Sequence, residues 1–165
     1  MEYLSCRVAT FYINRYEIAQ ILNAALNAGS FFLYGVILRW LLFHKFSPSH
    51  GYLHEPTSYP SLCYDLIEPY RHIIEESVSE TFKIVTTSQK ESTSIALQYI
   101  KSKLEQEVYV PTTRQTVSRK NLLHGVVLAL RSYLLSESKR FVIPTEGKKA
   151  GGRPPKVAYL LPGKK

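Results

Sequence analysis

The strongest hydrophobic pattern in this chain runs over residues 18–46, where apolar side chains crowd residues 31–33, 36–38 and 40–43. Its length predicts one long helix, with Gly29 and Gly35 as its weak points. Asn23, Asn27, Ser30 and Tyr34 recur at i, i+4, i+7 and i+11, so they form a polar stripe on one face. A helix that is apolar nearly all round except for one polar stripe describes a central core helix whose stripe faces a site. A membrane span is the competing reading. Residues 24–43 form an apolar window in which only Asn27 and Arg39 are clearly unfavourable. A lone lipid-facing span has no use for the polar stripe.

Shorter patterns follow. Residues 2–13 predict a short first helix, and residues 47–60 a loop containing Pro48, Gly51, Pro56 and Pro60. Residues 61–85 read helical, with Ser61 as the expected N-cap. Within them the Pro69 ring meets the carbonyl of Asp65, four residues earlier, and bends the helix. Polar residues 86–91 break the pattern. Residues 92–105 predict an amphipathic helix through Ile95, Leu97, Ile100 and Leu104; residues 108–113 are extended around Pro111; residues 117–136 predict the last good helix. Beyond Arg140, prolines and glycines exclude further long helices. No strand alternation, internal repeat or sustained heptad stands out, so the fold class is mainly α.

Composition adds a compartment and a tail. At 165 residues the chain buries a real core. Two cysteines, Cys6 and Cys63, make no disulfide framework and no zinc spacing. Met1-Glu2-Tyr3 lacks a basic leader. A reducing cytoplasm is expected. The net charge of +8 is uneven: residues 139–165 hold eight Lys and Arg against Glu146 alone, leaving residues 1–138 nearly neutral. The expected organisation is an α-helical lobe over residues 1–138 and a basic Pro/Gly-rich tail over residues 139–165. Such a tail either meets a polyanion, through Arg140, Lys148, Lys149, Arg153 and Lys156, or is a solvated terminus. Residues 157–161 are apolar enough to dock back on the body.

The candidate chemistry sits in residues 54–71. His54 lies on the Gly/Pro/Ser-rich loop; Asp65, the only aspartate in the chain, and Glu68 lie on the following helix. At spacing i,i+3 the two carboxylates share a helical face. One imidazole and two carboxylates suffice for a hard divalent cation with open positions for water and substrate. Taken singly, His54 also reads as an ordinary loop histidine, and the carboxylates as partners of a helix dipole. Glu55 is either an outer support or merely solvated. His124, in an apolar helix near Arg119, Lys120 and Arg131, reads as structural, with a nucleic-acid contact as the alternative.

Four motifs occur in order: Asn23-Ala-Ala-Leu-Asn27-Ala-Gly, Leu33-Tyr-Gly-Val, Gly51-Tyr-Leu-His-Glu, and Pro60-Ser-Leu-Cys-Tyr-Asp65-Leu-Ile-Glu68-Pro-Tyr-Arg71. This ordered set resembles the CRISPR-associated integrase family, Cas1, whose members insert new spacers into CRISPR arrays. The resemblance covers roughly residues 20–75. It implies an α-helical catalytic lobe in which a glutamate, a histidine and an aspartate bind Mg²⁺ or Mn²⁺. His54 falls on the family's histidine, Asp65 on an acidic position eleven residues later, and Glu68 on a second acidic position of the same helix. The family's upstream glutamate corresponds to Glu2, in Glu2-Tyr-Leu-Ser-Cys-Arg7. The family's N-terminal β-rich domain, used for dimerisation, has no counterpart in this sequence.

The resemblance implies phosphoryl transfer: a DNA 3′-hydroxyl attacks a phosphodiester in a second DNA, with no covalent enzyme intermediate. Double-stranded DNA (prespacer and CRISPR array), the protein Cas2 and a second copy of the complete protein are the implied partners. A site of one histidine with carboxylates suits Mg²⁺ or Mn²⁺ better than zinc. The competing functions are a DNA-binding remnant without catalysis, a casposase-type transposon integrase and, from residues 24–43 alone, a small helical membrane protein.

Overall fold

The computed structural model describes residues 15–54, 59–84, 88–149, 151–152 and 156–163. Five helices and one hairpin make up its regular structure, apart from a single turn of 3-10 helix. Helix α1, Arg15–Phe43, runs through the middle and touches every other helix. Ile21, Ala25, Gly29, Leu33, Ile37 and Leu41 are its buried residues, one every fourth position. That spacing puts one narrow stripe against the neighbouring helices. By length and hydropathy alone α1 would also cross a bilayer, yet its stripe is the spine of this protein's core. The polar stripe does not face the core. Asn23 and Asn27 are exposed, Ser30 Oγ donates to its own helix at Leu26 O (2.9 Å), and Tyr34 packs on Tyr64 with ring centres 5.4 Å apart.

The predicted helix over residues 61–85 is three pieces: α2, Ser61–Ile67; a turn of 3-10 helix, Glu68–Tyr70; and α3, His72–Phe82. The break falls where the Pro69 ring forbids the α-helical bond, as steric reasoning requires. Ser61 is not the N-cap. It is the first helical residue, and its hydroxyl is spent on the preceding loop. Helix α4, Gln89–Glu105, starts three residues earlier than expected, because Ser88 caps it by accepting from Glu91 N–H. Helix α5, Arg119–Leu134, is capped in the same way by Ser118, which accepts from Asn121 N–H.

Two features depart from the sequence expectation. Residues 107–118 form an antiparallel hairpin, β1 (Glu107–Val110) and β2 (Gln115–Ser118), pairing Val108 with Val117. Strands of four residues are too short for alternation to stand out from a helix edge. The basic segment also packs onto the body. Tyr159 and Leu161 are buried in the common core. Tyr70 Oη donates to Pro144 O (2.6 Å), Tyr159 Oη to Val142 O (2.8 Å), and the Gln115 side chain pairs with the Leu161 backbone in both directions (2.8 and 3.0 Å). Gly125 on α5 makes room for it, since a Cβ there would stand 2.1 Å from Leu161 Cδ2. The predicted helix over residues 2–13 lies outside the described residues.

His124 is structural. It stacks flat on Trp40, with ring centres 3.7 Å apart, and its Nε2 lies 2.8 Å from His44 Nε2. One ring donates and the other accepts, so only one of the two Nε2 atoms carries a proton. Burial and then the neighbouring His44 push His124 down to about 4 from 6.5.

Two predictions follow from the packing. The native state disfavours protonated His124, so its contribution is complete above the unfolded pKa of 6.5 and lost as pH falls toward 4. The loss is on the order of 2–3 kcal/mol. Urea unfolding followed by circular dichroism across this range is expected to show that slope in the wild type and a flatter one in His124→Phe. Leu161→Ala is expected to cost about 2–4 kcal/mol, as for a buried leucine; a cost below about 0.5 kcal/mol would mean that residues 157–161 leave the body in solution.

Candidate functional site

The site is built on one carboxylate. Asp65 is buried with no side-chain exposure, while the His54 side chain is 41% exposed. Asp65 Oδ2 accepts two backbone N–H groups from the loop, from Tyr52 at 2.5 Å and Leu53 at 2.9 Å. Asp65 Oδ1 bonds His54 Nδ1. The loop is fixed from its other end by Ser61, whose hydroxyl accepts from Gly51 N–H (2.8 Å) and donates to Ser49 O (3.1 Å). Tyr52 Oη adds a bond to Asp65 O at 3.3 Å. Gly51 is required by proximity: a Cβ there would lie 2.5 Å from Asp65 Oδ2 and 2.8 Å from His54 O.

The electrostatics agree with this geometry. Burial alone raises the Asp65 carboxyl, but the Leu53 N–H, the His54 ring and the Tyr52 N–H outweigh it, and the group titrates below the ordinary 3.8. Asp65 is therefore an anion at neutral pH. An ionised carboxylate accepts and does not donate, so His54 Nδ1 carries a proton, and in the neutral ring Nε2 then holds the free lone pair. This is the arrangement in which a carboxylate sets a histidine's tautomer and aims its second nitrogen at a metal or a reacting group. Cys63 on the same helix takes no part, because burial pushes its thiol up to about 12.

Of the residues singled out from the sequence, His54 and Asp65 are brought into contact. Glu68 sits on the 3-10 turn, 38% exposed, with Arg71 Nη1 at 3.1 Å from Oε1. Glu2, Glu55 and Arg153 lie outside the described residues. Among the described residues, no three His, Cys, Asp or Glu side chains converge into a metal cage. The basic positions separate into two places. Arg140 and Lys156 line one cavity together with Lys139. Lys148 and Lys149 are exposed beside the hairpin, with Lys149 Nζ 5.5 Å from the Tyr109 ring centre.

Sequence reasoning missed the tyrosines. Tyr59 and Tyr64 line a cavity of about 260 Å³ with His54, their ring centres 5.6 Å apart. Tyr52 holds the loop through both its backbone and its hydroxyl. Adjacent motif positions carried the only signal, Tyr52 beside Gly51 and Tyr64 beside Asp65.

The asymmetry of this cluster generates a stability prediction. Asp65→Ala leaves two loop N–H groups and the His54 ring without their acceptor, and is expected to cost about 2–4 kcal/mol. His54→Ala leaves the two backbone bonds intact and is expected to cost about 1 kcal/mol. The Asp65 contribution is complete above its ordinary pKa of 3.8 and is lost as pH falls below it. Equal losses for the two variants in urea titration would contradict Asp65 as the holder of the loop.

Comparisons with known proteins agree with the motif order. The family model for CRISPR associated protein Cas1 matches residues 14–93, a stretch that contains α1, the His54 loop and α2. No curated protein matches the chain in sequence. A solved structure described as a casposase bound to integration product has a similar fold, with a TM-score of 0.63 at 20% identity. The similarity covers 77% of this chain and 42% of that one, so the chain spans less than half of the casposase's length. The mainly helical architecture, the Asp65-held histidine loop and the family match point the same way: residues 14–93 of this chain are similar to the CRISPR associated protein Cas1 family.

Proposed function

We propose that this chain is the helical lobe of a metal-dependent DNA integrase that joins DNA 3′-hydroxyls to a target phosphodiester during CRISPR spacer acquisition in the cytoplasm. The observation that carries this reading is the partly exposed ring of His54, fixed through Nδ1 by a buried and fully engaged Asp65. The described residues fit a divalent cation in part. His54 Nε2 is preset as one ligand, and Glu68, one helical turn after Asp65, offers an accessible carboxylate. Glu2 would supply the third ligand. Mg²⁺ or Mn²⁺ held there would polarise the phosphoryl oxygen and lower the pKa of the attacking hydroxyl.

The protein's own share is positioning. In the joining step the 3′-oxygen bonds to phosphorus, the bond from phosphorus to the leaving 3′-oxygen breaks, and one proton passes from the attacking to the leaving hydroxyl. No covalent enzyme intermediate is needed. Asp65, with both oxygens occupied, acts through His54: it orients the ring and holds its tautomer. The loop bonds from Gly51, Tyr52 and Leu53 make that orientation rigid before substrate arrives, which is where such sites gain rate. The casposase's integration product supports DNA as the substrate class. That likeness also favours a second reading, a transposon-type integrase using the same site. The two readings differ in the target DNA. Cas2 and a second copy of the complete protein belong to the CRISPR reading.

The test uses purified protein, Mn²⁺, a short DNA with free 3′-hydroxyls and a supercoiled target. His54→Ala is expected to lower nicking or joining at least 100-fold, and Glu68→Gln at least tenfold. Asp65→Asn is expected to lower the rate while Mn²⁺ affinity falls by about 10- to 100-fold, the signature of a residue acting through a ligand. Full activity in a folded His54→Ala protein would defeat the proposal.

A further inference from the structure

A second histidine cluster lies at the end of α1. His44 follows the last residue of that helix, and its Nε2 meets Nε2 of His124, on α5, at 2.8 Å. The ring centres are 5.1 Å apart and the planes tilted by 35°, so the nitrogens converge rather than the faces. The surroundings hold them there. Trp40 lies flat on His124, and Phe43 stands edge-on to both Trp40 (5.9 Å) and His44 (5.1 Å). His124 is only 9% exposed, whereas His44 is half-buried. The pair therefore has a fixed inner member and an outer member open to water.

Two imidazole nitrogens aimed at one point are also a chelate. Burial pushes His124 down to about 4, and burial followed by the charge of Arg131 lowers His44 from 6.5, so both rings are neutral near pH 7. Neutral rings offer lone pairs without first losing a charge-bearing proton. A tetrahedral ion with ligand bonds of about 2.0–2.1 Å sets two nitrogens about 3.3 Å apart, so the pair needs to open by only about 0.5 Å. His44 can supply that movement, because it stands beyond the last helical residue and is partly exposed.

The charges around the pair select the ion. Arg39 Cζ lies 5.0 Å from the centre of the Trp40 ring, and Arg131 acts on His44. Among the described residues, no further His, Cys, Asp or Glu side chain joins the two imidazoles to make a third ligand. Mg²⁺ and Mn²⁺, which favour oxygen ligands and carboxylate charge, gain little from two neutral rings beside guanidinium groups. Zinc binds imidazole through its affinity for the nitrogen itself.

We propose that His44 and His124 form a zinc site, with two imidazole ligands and water in the remaining positions. Zinc held there ties the end of α1 to α5, and with it the start of the connection that leads to His54. The site uses none of the residues proposed above for the catalytic ion. It rests neither on DNA as substrate nor on catalysis.

The experiment titrates the full chain, stripped of metal, with zinc sulfate by isothermal titration calorimetry near neutral pH, and follows thermal unfolding by circular dichroism with and without zinc. Wild type is expected to bind one zinc at this pair, and its Tm to rise by roughly 3–6 °C when free zinc is about ten times Kd. His44→Gln and His124→Phe are each expected to weaken binding at least about tenfold and to abolish the Tm shift. His124→Phe keeps an aromatic ring on Trp40 and removes only the nitrogens. His44→Cys is expected to restore binding, because a thiolate is also a zinc ligand. His54→Ala is expected to bind zinc at the pair as wild type does, and magnesium or manganese chloride to give no Tm shift that His44→Gln removes. No zinc binding by wild type would overturn the site. So would binding that survives unchanged in either folded variant, His44→Gln or His124→Phe, or that is lost in His54→Ala.

Discussion

Asp65 carries the constraint on which the site depends. An ionised carboxylate buried without compensation is costly, and it persists inside a protein only when its acceptor sites are filled. Here a single loop fills them. Two consecutive backbone N–H groups take one oxygen and an imidazole N–H takes the other. The energetic need of the carboxylate and the orientation of the histidine are therefore one requirement. Satisfying the first fixes the second, and the partly exposed His54 ring is left in a defined tautomer.

The rest of the fold serves that junction. α1 presents its every-fourth-residue stripe to α3 and α4 and its Tyr34 to Tyr64 on α2. α2 must end soon after Asp65, because Pro69 breaks the ladder, and the 3-10 turn that follows leaves Glu68 half-exposed one turn beyond. The C-terminal segment closes the other side. Its Pro144 carbonyl takes the buried Tyr70 hydroxyl just after Glu68, and its Phe141 meets Tyr52 on the histidine loop. The segment that looked like an appendage by composition is thus built against the same helices that hold the site.

Much of this was legible in the sequence, for identifiable reasons. The long helix and the break at Pro69 follow from hydrophobic length and from ring sterics, both local causes. The histidine–aspartate contact was suggested by motif order, but not its form. Spacing says that two groups lie near one another, whereas the filling of both Asp65 oxygens depends on a loop conformation that only Gly51 permits. Ser61 shows the same limit. Its position before a helix suggests a cap, yet the loop competes for its hydroxyl and wins. The hairpin was hidden because four-residue strands carry too little alternation. That residues 157–161 could dock was legible in their apolar character, but the seat was hidden, because it depends on Gly125, distant in sequence, having no side chain.

The central claim is that Asp65 fixes His54 with its proton on Nδ1 and its lone pair on Nε2. Long-range ¹H–¹⁵N correlation of the imidazole nitrogens at neutral pH, in the protein without metal, reads this directly. The account predicts a protonated Nδ1 and an unprotonated Nε2 at His54 in the wild type, and loss of that preference in Asp65→Ala. A wild-type spectrum with the proton on Nε2, or one unchanged by Asp65→Ala, would contradict it.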